Sequence, residues 1–237
     1  MPRSARIAPG GWMFHVLNRG NGGQRLFENP NCYADFVGLL EDSRSRTDMR
    51  VLAYCLMPNH WHLLLWPQTD QALARFTHRL TLTHTQRWHV QHNTVGRGHL
   101  YQARYKSFAV NDDDHLTTVC RYIERNPLRA GLVERAEDWA WSSLRQRIGR
   151  TLQDEISLTA LPLLLPAHWC ELVNRPQTTA EVKALRDSLA TGRPFGDQEW
   201  RRSAARRLGL RPDPGRAGRP RLPKGRSEIT QPAATRD

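Results

Sequence analysis

Residues 51–66 read VLAYCLMPNHWHLLLW, two strand-length apolar runs with only Pro58-Asn59 between them. Proline presets the first central position of a tight turn and asparagine suits the second, so the stretch predicts a β-hairpin. Side chains alternate along a strand, which puts His60 and His62 on one face with Leu64 and Trp66, and Trp61, Leu63 and Leu65 on the other. Two imidazoles about 7 Å apart along a strand can converge on one ion if a third ligand comes from elsewhere. The His-x-His spacing is equally that of a hairpin end with two half-exposed histidines.

The neighbouring segments extend the hairpin into a fold. WMFHVLN (12–18) reads as a strand that ends at the glycine turn RGNGG. CYADFVGLLEDSRSR (32–46) carries Tyr33, Phe36, Val37 and Leu40 at helical spacing. QALARFTHRLTLTHTQRWHV (71–90) is a second helix, YKSFAV (105–110) a fourth strand, and a further helix runs from a cap at Asn111 or Asp112 to a stop at Pro127. Strand-helix-strand-strand-helix-strand is the order of a ferredoxin-like split βαβ unit. The expected class is therefore α+β, an antiparallel sheet with helices packed on one face and the other face open for chemistry. Beyond residue 150 the character changes. Residues 178–190 and 197–209 read as helices, the second with an Asp197 cap and a Gly209 stop, and the rest is rich in Pro, Gly and Arg. The expected division is a folded α+β domain over 1–150, a helical C-terminal extension over 151–210, and a basic tail over 211–237, disordered on its own.

Charge narrows the partners. Lys and Arg number 35 against 23 Asp and Glu, a formal +12. Residues 191–237 alone hold 12 basic and 5 acidic residues. Such an excess favours a polyanion, and arginine's planar fork suits phosphate. No apolar run approaches the roughly 20 residues needed to span a bilayer, and the N-terminal stretch lacks a signal-peptide core. Four scattered cysteines without a Cys-x-x-Cys pair argue against a zinc ribbon or a disulfide framework. These features predict a soluble protein of a reducing cytoplasm with no membrane partner.

A further ligand is sought in CRYIERNPLRAGLV (120–133). On a helix running to Pro127, Tyr122 and Asn126 share a face, about 6 Å apart along the axis. Taken singly, Tyr122 also reads as a packed amphipathic tyrosine and Asn126 as a helix cap.

Together, MPNHWHLLL and YIERNPLRAGLV resemble the two signature segments of the HUH single-strand transposases with one catalytic tyrosine, and more narrowly the REP-associated tyrosine transposases. The resemblance covers about residues 10–145, including NRGN (18–21), YQARYKSF (101–108) and WAWSS (139–143), and the tail is similar as well. It implies that His60 and His62 are the metal-binding pair, Asn126 the amide-type third ligand, Tyr122 the nucleophile, and Mg2+ or Mn2+ the cofactor. It also implies a hairpin DNA substrate with a single-stranded foot, cleaved and rejoined through a 5′-phosphotyrosine, and it favours a monomer over a homodimer. It further implies that the 1–150 domain is catalytic, that the 211–237 tail binds DNA, and that the setting is bacterial and nucleoid-associated. Arg104 and Lys106, beside the fourth strand, are candidate contacts to the DNA backbone, and Arg216, Arg219 and Arg221 in the tail are candidates for gripping a hairpin stem. The other eight histidines read as surface or packing residues.

Two other functions fit parts of the pattern. A non-catalytic RNA or DNA binder with an RNA-recognition sheet shares the element order, although HWHLLLW and YKSFAV lack its glycine-aromatic signature. A metal-dependent nuclease using activated water would share the histidines but not need Tyr122.

Overall fold

The computed structural model describes residues 6–150 and 156–210 of the 237-residue chain. The four strands are β1 (Met13–Arg19), β2 (Met49–Met57), β3 (His60–Pro67) and β4 (Lys106–Val110). Helices α1 (Pro30–Ser45) and α2 (Ala72–Gln91) complete the first two crossovers. They are followed by α3 (Asp114–Glu124), α4 (Asn126–Arg129), α5 (Ser143–Arg147), α6 (Trp169–Asn174), α7 (Thr179–Thr191) and α8 (Gln198–Arg207). The strands form one sheet in the order β2-β3-β1-β4, antiparallel throughout. This is the expected α+β, ferredoxin-like arrangement.

Local chemistry accounts for the early elements. Asn29 caps α1 by accepting from the Cys32 N–H, with Pro30 in the first turn where its missing N–H costs nothing. Met57 pairs with His60, leaving Pro58-Asn59 as a two-residue hairpin tip. That tip is pinned from outside: the Leu26 and Phe27 amides donate to the Pro58 carbonyl, and the Gly20 amide donates to the Asn59 carbonyl. His60 therefore starts from a fixed backbone rather than from a free loop end.

Helices α1 and α2 bury one sheet face, with Phe14, Val16, Trp61, Leu63 and Leu65 meeting Phe36, Leu40, Phe76 and Leu80. The second face does not stay open. Helix α3 lies on it, and Leu116, Val119, Cys120 and Ile123 pack against Cys55, Leu64 and Phe108. The reason is in the strands. β2 is buried at eight of its nine positions, so both faces need cover. Helix α3 offers the apolar stripe to supply it.

The end of α3 also departs from expectation. Asp113, rather than Asn111 or Asp112, is the N-cap, accepting from the His115 amide. The helix stops at Glu124, and a separate turn begins at Asn126 with Pro127 in its first positions. Proline disfavours a continuing helix through the residue before it, yet is at home at the start of the next one.

The region after residue 156 packs back onto the sheet. The Phe195 amide donates to the Ala109 carbonyl at 2.8 Å and the Asn111 amide to the Phe195 carbonyl at 2.9 Å, covering part of the β4 edge. Trp169, Val173 and Leu185 join the α3 core. Glu124, fully buried, accepts from Ser143 Oγ at 2.6 Å, Arg147 Nε at 2.7 Å and Trp169 Nε1 at 2.7 Å. Arg121 and Arg125 donate to the carbonyls of Leu172, Val173 and Arg175 near the end of α6. Helix α3 is thus tied down along its length by later sequence. Thr178 and Glu181 form a capping box at the start of α7. Among the described residues no helix is long and apolar enough to cross a membrane, and all four cysteines are free.

Candidate active site

β3 delivers His60 and His62 to the face that α3 covers. Their rings lie 5.1 Å apart between centroids, edge to face. His62 is buried and His60 half-buried. From α3, the Tyr122 ring comes to 5.9 Å from that of His62. Tyr122 and the two histidines therefore meet within one chain. Asn126 opens α4, its Nδ2 donating to the Ile123 carbonyl at 3.3 Å and its Oδ1 accepting from Arg129 Nη2. The amide does cap the end of α3, as one reading of the sequence had it, and its oxygen turns to Arg129.

Two residues enter the site that sequence reasoning did not single out. His15, set aside as a surface or packing histidine, is fully buried on β1, with Nε2 2.9 Å from His62 Nδ1 and its ring 6.1 Å from that of Tyr122. Alternation along WMFHVLN would have put it on the same face as Met13 and Leu17, but nothing local says that β1 lies beside β3. Arg129 stacks its guanidinium 4.0 Å from the centre of the Tyr122 ring. It follows Tyr122 by two helical turns and Asn126 by one, a spacing visible in the sequence once the site is known.

The electrostatics are one-sided. Burial, with Arg129 adding repulsion, lowers His15 from 6.5 to about 3. Burial, then Arg19 and Arg129, lowers His60 to about 4. Burial, then His15, His60 and Arg129, holds His62 well below the ordinary value. All three imidazoles are neutral at pH 7 and carry lone pairs. Asn59 Oδ1 lies 2.7 Å from His60 Nδ1 and, as an acceptor, places the proton there, so His60 Nε2 is the nitrogen with a free lone pair. His15 Nδ1 and Arg129 Nη1 are buried without a hydrogen-bond partner.

Neutral imidazoles and an amide oxygen are donors a divalent cation accepts, and an amide oxygen has two lone pairs, of which Arg129 occupies one. His60, His62 and Asn126 thus fit the ligand set that the resemblance implies. Among the described residues no group of three or more His, Cys, Asp or Glu side chains forms a conventional metal site.

The other candidates lie further out. Lys106 is exposed and pairs with Leu17, which pairs in turn with His62, so Lys106 stands on the same sheet face two strands away. Arg104 is exposed and lines a groove with Arg6, His78, His99 and Tyr105. Neither is brought to the histidine–tyrosine cluster. Arg216, Arg219 and Arg221 lie outside the described residues.

An antiparallel sheet with a paired-histidine strand, and a tyrosine helix laid across it, defines a protein with a phenol–imidazole centre in a basic surround. Residues 11–126 match the model of the family described as Transposase IS200 like. Over this segment, which runs from just before β1 to Asn126 and makes up just under half of the chain, the protein is similar to IS200-like transposases. A Haemophilus influenzae protein assigned as a REP-associated tyrosine transposase is 26% identical over 113 residues, covering 44% of this chain and 64% of that relative. The aligned part is thus less than two thirds of the relative's length. Among solved structures, a REP-associated tyrosine transposase bound to a REP hairpin matches at 18% identity and a TM-score of 0.49, covering 70% of this chain and all of the other. A Deinococcus radiodurans R1 protein of the transposase class matches at 16% identity and a TM-score of 0.38, covering 52% of this chain and 96% of the other.

Proposed function

We propose that this chain is a strand-transferase that cleaves and rejoins single-stranded DNA at the foot of a REP-like hairpin, with Tyr122 as the nucleophile. The observation that carries the reading is the single-chain meeting of the Tyr122 ring with the buried His62 ring, 5.9 Å apart, beside a second histidine and an arginine. The Tyr122 phenol oxygen bonds to phosphorus as the bond to the 3′ oxygen breaks. The phenol proton is accounted for in the new 3′-OH, and the 5′ end stays on the enzyme as a phosphotyrosine. Exchanging one phosphodiester for another conserves the bond energy, so a second 3′-OH can reverse the step without ATP. His60, His62 and the Asn126 amide oxygen would hold Mg2+ or Mn2+, which when bound neutralises phosphate charge and steadies the departing oxygen. A phenol has a reference pKa near ~10, so it needs such cationic help to attack at neutral pH.

The rival binder, with bases stacked on an open sheet, is disfavoured because α3 occupies that face. That the tyrosine helix docks on its own sheet favours a monomer as the active unit. The exposed Arg104 and Lys106, with Arg216, Arg219 and Arg221, are the proposed contacts to the DNA backbone. The test is incubation of labelled single-stranded hairpin DNA with the protein and Mg2+ or Mn2+, followed by a denaturing gel. A covalent adduct that disappears in Tyr122→Phe and on chelation is expected. Cleavage that survives Tyr122→Phe would mean that water is the nucleophile.

A further inference from the structure

Resting on the reading above, we propose that Arg129 is a further catalytic residue, whose Nη1 edge takes a non-bridging oxygen of the scissile phosphate while Nη2 stays on Asn126. Arg129 is half-buried with its Nη1 enclosed, and among the described residues no carboxylate forms an ion pair with it. A buried cation without a counter-charge is costly, and a site that keeps one is completed by an anionic ligand. The shape of the gap points the same way. Nη2 is committed to the Asn126 amide oxygen, the guanidinium plane to the Tyr122 ring at 4.0 Å, and Nη1 is buried with no acceptor. A purely structural arginine would spend that last edge on a carbonyl or carboxylate, as Arg121 and Arg147 do in the same helical layer.

The ligand must therefore be an anion with an oxygen reaching the nucleophile's edge, and a phosphodiester is that ligand. Arg129 therefore brings a fixed positive charge to the Tyr122 side of the cluster. As phenol oxygen adds to phosphorus, charge accumulates on the non-bridging oxygens, and a preplaced guanidinium is strongest where water is excluded. No bond forms to Arg129 and no proton leaves it. It neutralises charge and aligns the phosphate over the ring it covers. Its link to Asn126 would also tie the position of the phosphate to that amide.

The experiment compares the rate of adduct formation by the full chain and by Arg129→Ala on two hairpin substrates. One carries the ordinary scissile phosphodiester, and the other a neutral methylphosphonate there, each diastereomer assayed separately. On the phosphodiester, Arg129→Ala is expected to slow adduct formation by about 10²- to 10³-fold. On the methylphosphonate diastereomer whose methyl replaces the oxygen facing Arg129, the gap between the two proteins should close, because the charge that Arg129 answers is gone. Binding of Mn2+ to the DNA-free protein, read by electron paramagnetic resonance, should persist in the variant. Should Arg129→Ala unfold, Arg129→Gln keeps a donor for Asn126 and makes the same comparison. An equal gap on every substrate, or lost Mn2+ binding, would assign Arg129 a structural role and overturn the proposal. So would an unimpaired variant. Absence of any adduct with the unaltered chain overturns the strand-transfer reading itself, which is a distinguishable result.

Discussion

The two faces of β3 carry the same chemistry to opposite ends. Behind the strand, Trp61 Nε1 donates to Tyr101 Oη at 3.1 Å, and Tyr101 Oη lies 2.6 Å from His84 Nδ1, a closed tyrosine–histidine cluster packed on Phe27 and Phe36. In front of it, His15, His62 and Tyr122 form a second cluster, with Arg129 across the ring and two buried nitrogens left unpartnered. Burial lowers His84 and His15 alike to about 3. What separates the clusters is hydrogen-bond completeness and a cation. The rear network is finished without a ligand, whereas the front one has donors and lone pairs to spare and a charge to neutralise.

The sharpest way to break this contrast is to remove each tyrosine hydroxyl in turn. Tyr122→Phe should lower adduct formation by about 10⁴-fold or more, the scale for losing a nucleophile, whereas Tyr101→Phe should leave an adduct on the same gel. Equal losses would mean that the two faces do not differ in kind.

Next in size is the support of the front face. Glu124→Ala leaves Arg147 buried without its carboxylate and frees the Ser143 and Trp169 donors, so unfolding free energy in urea should fall by about 3–5 kcal/mol. A loss below the ~1 kcal/mol of an exposed pair would show that α3 is held without that network.

Tyr101→Phe should still cost stability, about 1–3 kcal/mol, because the Trp61 N–H and the His84 ring nitrogen lose their shared partner inside the core. Chemical denaturation reads it directly.

The smallest effect is acid sensitivity at the rear. His84 is neutral when folded, with its pKa lowered to about 3, mainly by burial. Unfolded, it binds a proton below the ordinary 6.5, so stability is intact above that value and declines as pH falls from there towards 3. The slope from this residue is at most about 1.4 kcal/mol per pH unit. His84→Gln should flatten the fall in denaturation midpoint between pH 6 and 4 relative to the unaltered chain. An unchanged slope would place the acid sensitivity on the front histidines instead.

Much of the frame was legible in local pattern. Pro58-Asn59 between two apolar runs announced the hairpin, and alternation put His60 and His62 on one face and Trp61 on the other, as the structure has them. Asp197 does cap α8, accepting from the Trp200 amide. Two short helices were not legible. α6 lies in a proline-interrupted stretch with no periodicity to count, and α5 is a single turn behind a Ser142 cap. The covered second face is not legible because an apolar strand run does not say whether its second side meets a ligand or a helix, and here α3 makes it core.

By itself, the sequence determined the strand and helix order, the hairpin, the face shared by His60 and His62, and the basic balance, because each is set by neighbours within a few residues or by simple composition. Only the tertiary structure decided that β1 lies beside β3, that α3 turns Tyr122 towards His62 rather than into solvent, and that His15 and Arg129 close around it. Apart from the local stack of Arg129 on Tyr122, those contacts join residues from 41 positions apart, as Arg19 and His60 are, to more than a hundred, as His15 and Tyr122 are. They are chosen by which apolar faces can bury one another, a property of the assembled sheet that no local stretch carries.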